Sequence, residues 1–557
     1  MRLSAKGGSM FRYVAVALAC AAGLTLLIAK LTADKRDSGA PPSPVYWPYP
    51  SGLIPNDLKA ETDRVNAEIE NIEQEAMSQW RAIPKNRGTA MRQVQLLGKI
   101  EMYDKNLSVN RNQACTFCHM PYTGFSGPIS SLNATVVAYP GSVHYRFGKR
   151  KPQGYTYSPY YPVLQYNRAQ NDFYGGNFWD LRATGYRTQS ADAEQSQGPP
   201  HDTQEMGFPD TACVIYRIAK GPYASIFTTV WGKQALSIRW PAQAEKICDT
   251  PGGVFGTNMA PLELQHEDRG RADVAYDQYA LAITAYEQSP DISPFSSKFD
   301  AALASPGKKI LTAEEQAGWD LFRGKAKCNT CHLDGTQNSF QKSSGGSNGT
   351  TTAGNATGVA PLFTDFTSSN LGVPRNPQNP FYYQNKPDVY GFTPNPEGLG
   401  FIDFGVGSFL SGKSGDLPNA EWAKYASKFD GKMQVSTLRN VDKRPFVTFV
   451  KAYMHNGYLK SLKEVVHFYN TRDVYKAKGG TCPAGTEKLT CWPPPEVPEN
   501  VNTSTGNLGL TDKEEDQVVA FMRTLTDGYT HPYTDANKFS AFPSHAVSPT
   551  ARARSAR

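Results

Sequence analysis

The sequence predicts a mainly α-helical protein in which two similar helical domains with long loops follow an N-terminal apolar segment. Three observations lead to this prediction. An uncharged run extends from Tyr13 to Ala29, the pentapeptide C-x-x-C-H occurs in both "QACTFCHMP" and "AKCNTCHLD", and each copy follows a helical stretch and a polar turn. Between the copies lies an aromatic, turn-rich region with few strand patterns, so loops are expected to join the helices.

Length and charge restrict the class of protein. With 557 residues, the chain can form two or three domains with cores of their own. Charged residues make up 20% of the chain, and the formal net charge of +7 is not gathered into a lysine–arginine run. The composition therefore indicates a globular protein and argues against nucleic acid as a partner.

Residues 1–35 have the layout of an export signal or a membrane anchor helix. Arg2, Lys6 and Arg12 precede the apolar run, and further basic residues follow it. The run is at the short end of the ~17–25 residues that span a membrane. Because no clear cleavage site ends it, a removed signal peptide and a retained inner-membrane anchor both fit. Either interpretation places the rest of the chain in the periplasm.

Residues 36–90 are predicted to form a proline-rich spacer and a helical extension. The stretch "SGAPPSPVYWPYPSG" favours an extended chain. Apolar residues then recur at helical spacing, namely Val65, Ile69, Ile72, Ala76 and Trp80. They indicate an amphipathic helix that packs through one face.

Residues 91–305 and 306–535 are predicted to form the two domains, and residues 536–557 a flexible tail. The second domain starts with Thr312 and Glu315 at the spacing of a capping box. The stretch "LTDKEEDQVVAFMRTLT" is predicted to close it with another helix. The low-complexity stretch "QKSSGGSNGTTTAGNATGVA" is predicted to be a surface loop.

Four cysteines lie outside both the pentapeptides and the apolar run. In an exported protein they are expected to form disulfides, and we expect the pairs Cys213–Cys248 and Cys482–Cys491. The second pair brackets a short loop, which a disulfide would hold together.

The pentapeptides indicate two covalently bound haems of the c type. Zinc would need a second pair of ligands at zinc-finger spacing, and a redox dithiol makes no use of the histidine. A c-type haem uses all three residues, because the cysteines form thioethers and the histidine binds the iron. The expected haem-binding residues are Cys115, Cys118 and His119 in the first copy and Cys328, Cys331 and His332 in the second. The two histidines are the expected proximal ligands, and the domains are expected to be cytochrome c-like haem domains.

From about Leu97 to Leu525 the chain resembles the bacterial dihaem cytochrome c peroxidase family, including its MauG-type branch. The resemblance is carried by ordered landmarks: "LGKIEMYDKNLS" before "ACTFCH", then "NFWDLR", "QSQGPPHDTQEM", "LTAEEQAGWDLFRGKAKCNTCH", "TLRNV", "YMHNG" and "LKEVVHFYN". It implies an enzyme, a dihaem c-type peroxidase that reduces hydrogen peroxide to water and is often a homodimer. The N-terminal haem would be peroxidatic, and the C-terminal haem would receive electrons from a small exported donor such as a cytochrome c. Two alternatives stay open: MauG-type oxidation of a partner protein, and electron transfer without catalysis.

The resemblance also implies roles for three residues in the N-terminal half. Trp179 in "NFWDLR" matches a tryptophan between the two haems. Gln195 and Glu205 match a pair that faces the open side of the peroxidatic haem. A carboxylate in such a pocket has a raised pKa and can move a proton from one peroxide oxygen to the other.

The sixth ligand of the second haem is implied by position. Tyr469 lies fourteen residues after His455 of "YMHNG" and matches the tyrosine that ligates this iron in the MauG-type branch. The rival ligands are His467, Met433 and Met454.

Two further expectations concern metal ions. His144 lies in the region where a distal histidine caps the N-terminal haem of some relatives. The resemblance also implies a calcium ion between the haems, bound by backbone carbonyls near Val450 and Ala452. The asparagine that usually completes that site has no clear counterpart here.

Overall fold

The computed structural model describes residues 58–84, 89–136, 138–255, 260–335, 361–414 and 417–530. These residues are mostly helical, as the sequence predicts. The apolar run, the proline-rich spacer, the low-complexity stretch and the C-terminal tail lie outside them. Among the helices of the described ranges, none combines the length and apolar character needed to cross a membrane.

The helices are concentrated around the two pentapeptides. In chain order, the α-helices of the described residues are α1 (Leu58–Ala82), α2 (Ala90–Tyr103), α3 (Ser130–Thr135), α4 (Ala191–Ser196), α5 (Gly198–His201), α6 (Ala212–Lys220), α7 (Ala224–Trp231), α8 (Ala244–Cys248), α9 (His266–Glu287), α10 (Lys298–Ala304), α11 (Ala313–Arg323), α12 (Val406–Leu410), α13 (Leu462–Thr471) and α14 (Asp512–Arg523). Strand β1 (Gln165–Asn167) pairs with β2 (Asp172–Tyr174), and β3 (Ser368–Ser369) pairs with β4 (Met433–Gln434), both antiparallel.

The predicted amphipathic extension is helix α1. It buries the residues that recur at helical spacing, Val65, Ile69, Ile72, Ala76 and Trp80. The helix packs on α2, and Trp80 Nε1 donates a hydrogen bond to the carbonyl oxygen of Gln93 at 3.2 Å. The prediction of a helix that packs through one face is confirmed.

The same kind of helix crossing is found before each of the two pentapeptides. Before the first pentapeptide, α2 crosses α9 at Gly98, where a Cβ atom would collide with the carbonyl oxygen of Ala282. Before the second pentapeptide, α11 crosses α14 at Gly318, where a Cβ atom would collide with the carbonyl oxygen of Gln517. In both pairs, the missing side chain lets the two backbones approach more closely than other residues allow.

The helices of the second crossing begin at capping boxes. Thr312 accepts a hydrogen bond from the backbone N–H of Glu315, whose carboxylate bonds back to the Thr312 N–H. Thr511 and Glu514 repeat this arrangement at the start of α14. The box at Thr312 and Glu315 confirms the prediction, since its donors and acceptors all lie within four consecutive residues.

The buried side chains form two large clusters and two small ones. The first large cluster draws on residues from Val65 to Ile292, and the second draws on residues from Phe299 to Leu525. The small clusters combine both halves of the chain: one joins Phe173 to Trp422, for example. The long loops are thus packed against each other, while the domain boundary near residue 305 stays a prediction.

Both predicted disulfides are present. Cys213 bonds to Cys248 and thereby joins α6 to α8, and Cys482 bonds to Cys491. Both expected pairs are therefore confirmed.

Candidate functional site

The first pentapeptide forms a tight turn close to the end of α2, and its Cys115, Cys118 and His119 are called the first site. All three side chains are half-buried. His119 Nδ1 lies 3.4 Å from the carbonyl oxygen of Phe125. A carbonyl can only accept a hydrogen bond, so Nδ1 carries the ring proton and Nε2 is the nitrogen that can bind a metal ion.

The second pentapeptide repeats this arrangement, and its Cys328, Cys331 and His332 are called the second site. These side chains are half-buried as well. His332 Nδ1 lies 3.0 Å from the carbonyl oxygen of Phe363, which again leaves Nε2 for a metal ion. Burial lowers the pKa of His119 and that of His332 to about 4. Both imidazoles are therefore neutral at physiological pH, which is the form that ligates metals.

The cysteines of the two sites differ from the others in the described residues because they are free thiols. Burial raises the pKa of Cys115 and that of Cys328 to about 12, and that of Cys331 to about 11. A reactive dithiol needs a lowered thiol pKa, because the thiolate is the nucleophile. The structure therefore argues against a redox dithiol at either pentapeptide.

A largely apolar cavity opens beside the second site. Its lining includes Cys328, Cys331 and His332, together with Tyr469, Trp179 and His455. The cavity thus combines the second pentapeptide with side chains from α13 and from the N-terminal half of the chain.

Glu205 lies beside the first site. The next residue, Met206, has its sulfur 4.0 Å from the sulfur of Cys115. The side chain of Glu205 is half-buried, and its charge acts on both cysteines of the first site. Burial and the neighbouring Asp202 raise the pKa of Glu205 to about 8. At neutral pH this carboxyl group is therefore mostly protonated and can both donate and accept a proton.

Gln195 lies on α4, a short helix that Ser190 caps by accepting a hydrogen bond from the N–H of Ala193. Its side chain is half-buried. Within the described residues, Gln195 and Glu205 form no hydrogen bond with each other, and α5 separates them along the chain. Gln195 and Glu205 could therefore act together only on a ligand bound between them.

Trp179 is fixed by hydrogen bonds at the edge of the cavity. Its Nε1 donates to the carbonyl oxygen of Lys151 at 2.9 Å, and its own carbonyl oxygen accepts from the N–H of Gln434 at 2.8 Å. The indole ring lies edge-on to the imidazole of His455, with 6.4 Å between the ring centroids. The charge of Lys151 in turn acts on His119 of the first site. Trp179 therefore contacts Lys151, whose charge acts on the first site, and His455, which lines the cavity of the second site.

Tyr469 and its rivals as a ligand occupy different surroundings. Tyr469, Met433 and Met454 all line the cavity of the second site. His467 does not, because its Nδ1 lies 3.0 Å from a carboxylate oxygen of Glu515 and its Nε2 lies 2.8 Å from the carbonyl oxygen of Leu489. Both ring nitrogens of His467 are thus engaged elsewhere. Burial raises the pKa of Tyr469 above its ordinary value, and the cysteines of the second site add to the effect.

His144 lies at the surface. Its side chain is exposed, and its Nε2 lies 3.4 Å from the amide nitrogen of Asn112. The structure does not bring it into contact with His119 or Glu205.

Comparison with known proteins agrees with this geometry. Residues 92–308 match the family model described as di-haem cytochrome c peroxidase. The methylamine utilization protein MauG of Paracoccus denitrificans is 26% identical over 446 residues, which cover 79% of this chain and 90% of MauG. A cytochrome-c peroxidase of Denitromonas iodatirespirans is 26% identical over 437 residues, which cover 77% of this chain and 80% of that protein. Residues 92–308 thus match the di-haem cytochrome c peroxidase family, and most of the chain is similar to MauG and to a cytochrome-c peroxidase.

A solved structure shows the same fold. The diheme peroxidase BthA from Burkholderia thailandensis aligns with a TM-score of 0.54 and 24% identity over 78% of this chain and 86% of its own. This likeness extends beyond residues 92–308 into the half of the chain that carries the second site.

Similarity to the di-haem family implies two c-type haems, and the residues present fit them. Each site offers two free cysteines for thioethers and a neutral histidine. The Nδ1 of each histidine hydrogen-bonds to a backbone carbonyl, which leaves Nε2 for the iron. A bound haem would supply redox chemistry at its iron, and the protein would supply the histidine ligand and the groups on its open side.

Sequence reasoning missed three residues that line the cavity: His455, Lys151 and Lys451. His455 belongs to the landmark "YMHNG", which was used only for counting to Tyr469. The two lysines carried no local signal, because a lysine in a loop is usually exposed to solvent.

Proposed function

We propose that this protein is a dihaem c-type peroxidase that reduces hydrogen peroxide to water with electrons from a small exported electron-donor protein such as a cytochrome c. The observation that carries the proposal is Glu205, a half-buried carboxyl group beside the first site with a pKa raised to about 8. An electron-transfer cytochrome has no use for a proton-transferring group at that position. A peroxidase needs one, because cleavage of the O–O bond moves protons between the two oxygens.

In this function the first site is the peroxidatic one. Hydrogen peroxide takes up two electrons and two protons and gives two molecules of water, and the haem iron supplies the redox chemistry. The ionised form of Glu205 accepts the proton of one peroxide oxygen and returns it to the other, which leaves as water. Gln195 orients the peroxide by hydrogen bonding. A pKa near the working pH suits Glu205 for both halves of this transfer.

The second site is the entry point for electrons. Trp179 lines its cavity and hydrogen-bonds to Lys151, whose charge acts on His119 of the first site. The indole therefore bridges the two sites and serves as the aromatic relay between the two haems. Phe in place of Trp179 would keep the shape but lose the Nε1 hydrogen bond, and electron transfer between the sites should slow.

Steady-state turnover of hydrogen peroxide with a reduced cytochrome c tests this function. We expect turnover that depends on Glu205, together with a high-spin ferric band that shifts when peroxide is added. Two low-spin haems that do not respond to peroxide in any redox state would instead make the protein an electron-transfer cytochrome.

A second candidate function, MauG-type oxidation of a partner protein, is favoured by one observation. Tyr469 lines the second cavity and lies close enough to Cys328 and Cys331 to be affected by their charges. As an anionic ligand, a tyrosine stabilises the ferric and more oxidised states of a haem iron relative to a methionine. The second haem would then store an oxidising equivalent instead of passing electrons inward. Oxidation of a partner protein after peroxide addition, without any added electron donor, would favour this function over peroxidase turnover.

We also propose that the protein acts in the periplasm, released or held at the inner membrane. The apolar run after Arg12 and the two disulfides support an oxidising compartment. Fractionation of cells that express the full chain tests this, and recovery in the cytoplasm would refute it.

A further inference from the structure

Two lysine side chains lie between the first and the second site. Lys151 and Lys451 both line the cavity that contains His332. The charge of Lys151 also acts on His119. Lys451 is only 5% exposed, and the Lys151 charge acts on it as well. The two ammonium groups therefore share the space that separates the histidines of the two sites.

The hydrogen bonds of these ammonium groups go to backbone carbonyls. Lys451 Nζ donates to the carbonyl oxygens of Asn440 and Lys443 at 3.4 and 3.2 Å. Lys151 Nζ donates to the carbonyl oxygen of Pro152 at 2.8 Å. Within the described part of the chain, neither Lys151 nor Lys451 forms an ion pair. Buried charges in proteins are normally paired, so the space between the sites lacks an anion.

The acidic groups around this space do not fill this role, since Asp403 and Glu496, which line the same cavity, are bonded to Arg150 and Arg375. Asp442 acts on Lys451, but its carboxylate is bonded to Arg444 at 3.0 Å and to Arg523 at 3.3 Å. Burial lowers the pKa of Lys151 to about 8, and burial together with the Lys151 charge lowers that of Lys451 to about 7. An anion beside these two lysines would therefore stabilise their charged forms.

The expected calcium ion does not fit here. The carbonyl oxygen of Val450 already accepts a hydrogen bond from the side-chain amide of Asn133 at 3.0 Å. Lys451, between Val450 and Ala452, places an ammonium group in the same region. Calcium prefers 6–8 oxygen ligands that include carboxylates. Here it would meet two cations, and the carboxylates of Asp403, Asp442 and Glu496 are each bonded to an arginine.

We propose that Lys151 and Lys451 replace the calcium ion of the family and bind the haem propionates between the two sites. A haem carries two propionate groups, which are the anions that this space lacks. Ammonium–carboxylate hydrogen bonds are charge-assisted, and a bound propionate would stabilise the charged forms of both lysines. The proposal rests on haem binding and not on peroxide turnover, so it can fail or hold independently of the proposed function.

The proposal predicts a calcium-independent holoprotein. Metal analysis of the purified dihaem protein should find no bound calcium, and treatment with a calcium chelator should leave the electron paramagnetic resonance spectra of both haems unchanged. One calcium ion per chain whose removal alters those spectra would overturn the proposal.

The lysines themselves are tested by spectroelectrochemical titration of the holoprotein. A positive charge beside a haem favours the reduced iron, so Lys151→Met and Lys451→Met should each lower a haem midpoint potential. Lys451→Arg, which keeps the charge, should keep most of the potential, and the exposed Lys386→Met serves as a control without effect. If Lys451→Met does not fold, Lys151→Met and the calcium analysis still test whether lysines replace the calcium ion. Unchanged potentials in the Met variants that fold would overturn the assignment.

Discussion

Substitution of Glu205 by glutamine should separate the activity of this protein from its stability. Glutamine keeps the size and the hydrogen-bonding oxygen of the side chain but cannot carry a proton between two oxygens. General acid–base catalysis contributes about 10²–10⁴-fold to such reactions, so the turnover of peroxide should fall by about that factor. Both haems should remain attached, because Glu205 takes no part in the pentapeptide.

The same substitution should stabilise the fold at neutral pH. The pKa of Glu205 is raised from 4.5 to about 8. Below about pH 4.5 the group is protonated in both the folded and the unfolded chain, so it costs nothing there. Between about pH 4.5 and pH 8 the unfolded chain releases the proton while the folded protein keeps it, so stability falls as the pH rises. At pH 7 this penalty is about 3 kcal/mol, and Glu205→Gln should remove it.

Two measurements check these expectations. Denaturant unfolding followed by circular dichroism should show that the stability gain of Glu205→Gln grows by about 3 kcal/mol between about pH 4 and pH 7. Peroxide turnover should lose the pH-dependent limb near pH 8 that Glu205 gives to the wild type. Near-normal turnover in the variant would remove Glu205 from the mechanism. A stability difference that does not change with pH would refute the buried, protonated carboxyl group.

The remaining predictions concern the second site and the crossing of α11 and α14. His332→Gly should disturb the haem that receives electrons while the first haem keeps a peroxide-sensitive spectrum; if the first haem became inert instead, the roles of the two sites would have to be exchanged. Tyr469→Phe should convert the second haem from low to high spin, whereas His467→Ala should not, and an unchanged low-spin spectrum in Tyr469→Phe would exclude Tyr469 as the ligand. Gly318→Ala should lower the unfolding midpoint by the equivalent of about 1–3 kcal/mol, because its methyl group collides with the backbone of α14. The matched control Gly270→Ala, in the second turn of α9 with open space around it, should be neutral or slightly stabilising, and equal effects of the two substitutions would refute the close crossing.

The parts of the fold that could be predicted are those with short-range signals. The capping box at Thr312 and Glu315 needs only four consecutive residues, and the amphipathic face of α1 needs only the helical period. The disulfide between Cys482 and Cys491 closes a short loop, so its two cysteines are close in sequence. In each case the interacting groups are near each other in sequence, so the pattern carries the information.

The parts that escaped prediction depend on distant contacts. Trp179 and His455 are far apart in the chain, and their ring contact follows from how the loops of both halves pack. The burial of Lys151 and Lys451 follows from the same packing and contradicts what lysine in a loop normally indicates. His144 shows the converse, since its position in the sequence suggested a ligand, while the structure exposes its side chain to solvent.

The two sites share their pentapeptide and the hydrogen bond from histidine to a backbone carbonyl, so neither feature can make them unequal. The two sites differ in the segment, distant from the pentapeptide in sequence, that faces each of them. The first site faces Glu205, whose raised pKa provides a mobile proton, and the second faces Tyr469 on α13. A proton-transferring carboxyl group suits a site where bonds break, and a tyrosine ligand suits a site that only changes its oxidation state. If the first site is peroxidatic, as we propose, the division of labour between the haems lies in the segments around Glu205 and Tyr469. This is why counting C-x-x-C-H motifs predicts two haems but not which one reacts.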